Sequence, residues 1–304
     1  MGEEKIEKFL KENFEKIGSE ACSKKLNMRN SMVHYRATKL GLKIPDDILF
    51  KIRSERGLKM NEHKSKKICD DFKKIQTPEQ AYLLGFIWAD GYCKRGMVSL
   101  TIAEEDMNNI KNIFMQTGEW KFTKLKKGKF SKKEILSMRI YSIKLSEIFK
   151  KMGFFEKSGA SHKKVLDFIP EKLWPYWFRG YFDGDGTIFN DLKRKNTKVS
   201  ISSTYEQDWS YLQHILSELG VKTSIYQNKS HYKHDEEERD CKHSILSLPN
   251  IPSIYKFFKY IYNPELKHFG LERKYERFIT FINIPGRRSK ILGLLKDEPL
   301  HTCM

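Results

Sequence analysis

The sequence predicts an α+β fold in which two similar halves follow one another behind a small all-α unit. Three observations carry that reading. A nine-residue phrase occurs twice, with its aspartates 95 positions apart. Each copy is followed by the same succession of helical and strand-like periodicities, and the first 48 residues carry helical periodicity alone.

The elements can be taken in order. Ile6, Phe9, Leu10, Phe14 and Ile17 recur at helical spacing, a second helix is expected near 20–26, and a third from Asn30 to Leu40, stopped at Gly41. In that third helix Val33, Ala37 and Leu40 share one face, while Ser31, Tyr35, Thr38 and Lys39 form the other, with Arg29 at its entry. Two helices, a tight turn and a basic outer face predict a helix-turn-helix-like DNA-binding domain over 1–48, reading DNA through Arg29, Ser31, Tyr35, Thr38 and Lys39. The stretch SKKLNMRNSMVHYRATKLGLK also resembles small helix-turn-helix modules that end in a similar phrase. Residues 49–76 are polar and rich in lysine (Lys59, Lys64, Lys66, Lys67, Lys73, Lys74), a basic linker.

The first half is expected over 77–168. Thr77 is a good N-cap and Pro78 fits the first helical position, so a helix runs to Gly91. A strand follows at 97–102, a helix near 105–116, strands near 119–126 and 134–142, and a helix near 143–152. The second half, 169–285, opens with EKLWPYWFRGYFDGDG. Strands are expected near 186–190 and 197–203, a helix over 205–219, strands near 222–229 and 243–248, and helices near 251–262 and 271–283. Residues 286–304 are a C-terminal tail. Duplication at this scale predicts two structural halves about a pseudo-twofold axis.

The repeated phrases are LLGFIWADG (83–91) and FRGYFDGDG (178–186). Gly85 and Ala89 are four apart, as are Gly180 and Gly184, so each helix offers a face of small residues through which two backbones can approach closely. Each helix ends at a glycine, Gly91 or Gly186, expected in the left-handed conformation. Just before each glycine stands an aspartate, Asp90 or Asp185, where the negative end of the helix dipole disfavours it. Packing the small faces together brings both carboxylates and both helix ends to one place. Such a site calls for a divalent cation, and oxygen ligands favour Mg²⁺, with Mn²⁺ able to substitute and no organic cofactor expected.

These paired phrases resemble the two signature helices of the LAGLIDADG homing endonucleases, in the single-chain form, over residues 77–285. FRGYFDGDG is the stronger match; LLGFIWADG has Trp88 where the family commonly has Asp, and Asp183 keeps that residue in the second copy. The resemblance implies αββαββα halves with antiparallel four-stranded DNA-binding sheets and signature helices at the interface. It implies metal held by Asp90, Asp185 and the backbone carbonyls of Ala89 and Gly184. It also implies a lysine near each centre, for which Lys157 and Lys274 are the candidates. The expected activity is cleavage of both strands of a long DNA target across the minor groove, leaving short 3′ overhangs. Alternatives on the same scaffold are an RNA maturase acting on intron RNA and a non-cleaving transcriptional regulator.

Composition agrees with a nucleic-acid partner. The 304 residues carry a formal net charge of +18, which favours binding to a polyanion, and 39% hydrophobic residues suffice for real cores. The longest apolar run is too short for a bilayer, which needs about 20 residues, and the N-terminus lacks an apolar signal region. No membrane partner is expected, and the location is cytoplasmic or organellar. Five scattered cysteines predict free thiols, and both signature phrases in one chain predict a monomer. His231, His234, Cys241 and His243 cluster in sequence, but the acidic run between them and its spacing predict a mobile hairpin loop instead of a zinc site.

Overall fold

The computed structural model describes residues 2–49, 51–52, 72–94, 96–125, 134–234, 237–262, 269–287, 289, 291 and 293, with the backbone alone for 230–241. Most of the expected linker, including Lys59, Lys64, Lys66 and Lys67, lies outside these residues, as does the tail beyond 293.

The N-terminal unit has its own small core. Helix α1 (Glu3–Leu26) is two helices joined at Gly18, whose φ of 76° and ψ of 171° break the helical run, so the expected division is present within one element. Its left-handed cap, Asn27, leads by a short turn into α2 (Asn30–Lys39). Ile6, Leu10, Phe14 and Cys22 of α1 meet Val33 and Ala37 of α2, with Phe9, Ile17 and Leu40 at the margin.

The rest of the chain is built on two central helices and two sheets. Helix α3 (Pro78–Asp90) starts with a capping box between Thr77 and Gln80 and carries Pro78 in its first turn. Strands β1 (Gly91–Lys94) and β2 (Met97–Ala103), helix α4 (Glu104–Gln116), strands β3 (Lys121–Leu125) and β4 (Ile135–Tyr141), and helix α5 (Ile143–Lys151) complete the first half. After the short helix α6 (Lys163–Leu166) the pattern restarts with α7 (Trp174–Asp185), β5 (Gly186–Asp191), β6 (Asn196–Thr204) and α8 (Ser210–Glu218). Strands β7 (Ser224–His234) and β8 (Glu237–Leu248) and helices α9 (Ile251–Ile261) and α10 (Glu272–Asn283) close it.

The two sheets have the same order, β1-β2-β4-β3 and β5-β6-β8-β7, and every pairing is antiparallel. Strands β1 and β5 alternate buried and exposed residues, the mark of a sheet with one face on a core and one face open. Helices α3 and α7 are buried on nearly every side; they pack on each other, with α3 also against β1 and β2 and α7 against β5 and β6. Among the described residues, no helix is long and apolar enough to cross a membrane.

Two elements differ from the sequence reading. Strand β1 was not expected, because GYCK has too little alternation to announce a strand; it forms by pairing with β2 from Gly91↔Leu100 to Lys94↔Met97. The anticipated loop through the acidic run is mostly strand instead. Backbone pairing continues from Asn228↔His243 to His234↔Glu237. A ladder needs only backbone groups, so a polar run can extend it once the register is set. No group of three or more His, Cys, Asp or Glu that could hold a metal occurs among the described residues, whose side chains exclude that segment.

Candidate active site

Helices α3 and α7 meet through reciprocal contacts. A Cβ added to Gly85 would overlap the backbone of Trp177 and come 2.8 Å from Tyr181 N. One added to Gly180 would overlap Tyr82 O and come 3.0 Å from Phe86 N. In the repeat Gly85 corresponds to Gly180, Tyr82 to Trp177 and Phe86 to Tyr181, so each contact has its mirror, as a twofold interface requires. Further along, a Cβ on Gly184 would strike that of Ala89 and lie 3.3 Å from Asp90 Oδ2. The glycines and alanine therefore bring the C-terminal ends of both helices, and their aspartates, together.

Gly91 and Gly186 perform a different task from the one expected. Their φ values are −77° and −79°, extended backbone that any residue adopts. Glycine is required because the chain turns directly from helix into strand: a Cβ on Gly91 would lie 2.6 Å from Ile87 O, and one on Gly186 would overlap Phe182.

Each helix end is closed by a lysine from elsewhere in the chain. Lys157 Nζ donates to Ile87 O, Trp88 O and Ala89 O at 2.9, 2.8 and 2.8 Å. Lys274 Nζ donates to Phe182 O and Asp183 O at 2.6 Å and to Gly186 O at 2.7 Å, with Gly184 O at 3.5 Å. Cations here complement the negative helix ends. Both amines are surrounded by protein, and burial draws each pKa down to about 8, against the opposing pull of nearby aspartates.

The carboxylates show the complementary effect. Burial and then the charge of Asp90 push Asp185 up to about 7, with Lys157 and Lys274 pulling the other way. Asp90 is more exposed, yet desolvation by the walls around it still raises its carboxyl. Asp185 and the two lysines are thus all drawn toward neutrality at one spot, and the Asp90 carboxyl is raised beside them. An open cleft beside them is lined by Trp88, Ala89, Lys157, Tyr181, Asp185 and Gln207 among others.

One position separates the halves. Asp183 is buried, and its Oδ2 accepts from Tyr82 OH (2.9 Å), Leu271 N (2.9 Å) and Arg179 Nε (3.1 Å). The Arg179 guanidinium lies 3.5 Å from the centre of the Tyr262 ring. The equivalents of Arg179 and Asp183 in the first half are Leu84 and Trp88, both buried, with Trp88 edge-on to Phe154 at 5.2 Å. The i, i+4 spacing of Arg179 and Asp183 was visible in the sequence; their partners Tyr82 and Leu271, distant in the chain, were not. Gln207 escaped notice because it lies in no motif, and Tyr181, inside FRGYFDGDG, was not singled out within the phrase.

In the N-terminal unit Arg29, Ser31, Tyr35, Thr38 and Lys39 are all exposed, and Val33 and Ala37 are buried, as the helical pattern predicted. Thr38 Oγ1 also donates to His34 O.

Among known proteins, the LAGLIDADG-like domain family matches residues 176–261. No curated protein matches the sequence. Similar solved structures include I-DmoI in complex with DNA and Ca, at 17% identity over 67% of this chain and 97% of that one, with a TM-score of 0.43. I-DmoI in complex with DNA and Mn has 17% identity over 61% and 97%, with a TM-score of 0.40. Full-length DUF199/WhiA from Thermatoga maritima has 16% identity over 75% and 70%, with a TM-score of 0.39. The match to the LAGLIDADG-like domain family falls within the second half, whose order of helices and four-stranded antiparallel sheet the first half repeats.

Proposed function

We propose that the chain is a divalent-metal-dependent, site-specific endonuclease that cuts both strands of duplex DNA. The observation that supports this best is the meeting of Asp90 and Asp185 at the ends of paired helices, each just before the first strand of an antiparallel sheet.

The residues fit a hard cation. All the nearby donors are oxygens: the two carboxylates and the carbonyls of Ala89 and Gly184, set where two helix dipoles point their negative ends. Gly184 O is only 3.5 Å from Lys274, whereas Ala89 O already accepts from Lys157 at 2.8 Å and offers its second lone pair. Asp90, Asp185 and these carbonyls would hold Mg²⁺, or Mn²⁺ in its place. The bound cation supplies Lewis acidity and charge to offset a phosphorane-like transition state.

The protein's own groups do the rest. Burial raises both carboxyls, Asp185 to about 7, so positive charge entering beside them favours their ionised form. Lys157 has all three N–H bonds committed to carbonyls, so its role is first to hold the helix end and the aspartate on it. Exchanging one such bond lets Lys157 or Lys274 give a proton to the leaving oxygen as a water oxygen bonds to phosphorus and one P–O ester bond breaks, while the water's own proton passes to solvent, from which the lysine is reprotonated. Cleavage of one phosphodiester per strand, facing each other across the minor groove, leaves short 3′ overhangs. The sheets' open faces bind the long target, α2 reads flanking DNA through Arg29, Ser31, Tyr35, Thr38 and Lys39, and a monomer suffices because one chain brings both centres.

The test is cleavage of genomic DNA and a randomised duplex library in Mg²⁺ and in EDTA, by wild type and Asp185→Asn, with the new ends sequenced. Recurrent Mg²⁺-dependent ends, lost in the variant while specific binding persists, are expected. No ends but specific retention of duplex DNA would favour a regulator; retention of structured intron RNA would favour a maturase. Deleting residues 1–48 should shorten the footprint on DNA; an unchanged footprint refutes the reading role of α2.

A further inference from the structure

Resting on that reading, we infer that Asp183, together with Arg179, is a positioning residue for Lys274 and so governs the cleavage of one DNA strand and not the other. Asp183 Oδ2 binds Leu271 N, and Lys274 N in turn donates to Leu271 O at 3.1 Å. The carboxylate thereby fixes the first turn of α10, whose Lys274 ammonium sits on the carbonyls around Asp185. Gly270, at φ +94°, lets the chain pass closely: a Cβ there would overlap Asp183 Oδ2 and lie 2.8 Å from Arg179 Nε. The same turn is tied to the first half by Arg273, which grips Asp106 at 2.7 and 2.8 Å, and by Tyr82, which donates to Asp183.

Packing does not demand this network. The first half fills the equivalent places with Leu84 and Trp88, and its lysine is held by other means. The segment after Lys157 rests on the second half through Gln207, which donates to Ala160 O, and through His162, stacked on Trp209 at 5.6 Å. A buried ion pair is weak evidence for stability, since apolar replacements are often neutral. What the pair adds here is an oxygen that orients the backbone beneath Lys274.

The test compares wild type with Arg179→Met/Asp183→Leu on a duplex bearing the site selected by wild type, each strand end-labelled separately. The double variant removes both buried charges, and Asp183→Asn, nearly isosteric, serves if it does not fold. Misplacing Lys274 should slow one strand by about tenfold to a hundredfold and spare the other, so nicked product accumulates. In metal-free, DNA-free protein, acetic anhydride should modify Lys274 faster than in wild type while Lys157 is unchanged. Equal slowing of both strands with unchanged melting, or Lys274 still protected, would overturn the inference. Should wild type cut neither strand, the endonuclease reading fails and the labelling result alone decides the positioning role.

Discussion

Positions 88 and 183 occupy the same place in the two repeats, yet one holds a tryptophan in an aromatic cluster and the other a carboxylate in a buried network. The helices that carry them are otherwise matched: the same glycine seats, the same terminal aspartate, the same lysine closing the end. The difference teaches that the geometry around the twofold axis is set by small residues and helix-end chemistry, which both halves keep. What holds each lysine is free to diverge, by an amide hydrogen bond and ring stacking in one half and by charge in the other.

The largest expected effect tests what the halves share. Gly180→Val should destabilise the protein by about 3 kcal/mol, the upper end for overpacking, because the new atoms meet the backbone of Tyr82. Gly85→Val should cost as much, since its seat is the mirror image. Urea denaturation of the two variants measures this, and clearly unequal losses would break the symmetry claimed for the interface.

A second pair of variants tests how the lysines differ. Lys274→Met should cost about 1–3 kcal/mol, because buried carbonyls lose a charged donor, and Lys157→Met should cost less, being half-buried. Equal costs would mean that the carbonyls around Lys274 find other partners.

The pH dependence follows from the carboxylates. In EDTA, folded Asp185 keeps its proton to about 7, whereas an unfolded aspartate releases it near ~3.9. The folded state therefore binds more protons in between, so stability falls as pH rises through that window. Melting temperatures across pH should show this slope, flattened in Asp185→Asn; a flat wild-type profile would contradict the crowding of the two carboxylates. From about 8 upward the lysines act oppositely, since burial makes them give up protons before unfolded lysines at ~10.4, so stability rises. The smallest effect belongs to Arg273→Ala, which removes a part-exposed ion pair across the halves and should cost under about 1 kcal/mol.

Much of this was legible in the sequence because it is local. Thr77 and Pro78 announce a helix start, and the i, i+4 pairs Gly85–Ala89 and Gly180–Gly184 announce a close interface. The duplication then places Asp90 beside Asp185, and the resemblance pointed to Lys157 and Lys274. Strand β1 was hidden because its four residues become a strand only through β2. The extension of β7 and β8 was hidden because backbone pairing leaves no hydrophobic pattern. The partners of Asp183 lie 101 and 88 residues away, at distances that no periodicity reports.

The reciprocal glycine seats suggest that either half could in principle pair with a copy of itself. The bond from Tyr82 to Asp183 shows why that exchange is no longer free. In a dimer of two second halves, Trp177 would stand where Tyr82 stands, and an indole offers no phenolic hydroxyl to Asp183. The two halves have become complementary, like left and right gloves cut from one pattern. Anyone grafting the second half onto a new partner must carry the tyrosine across with it.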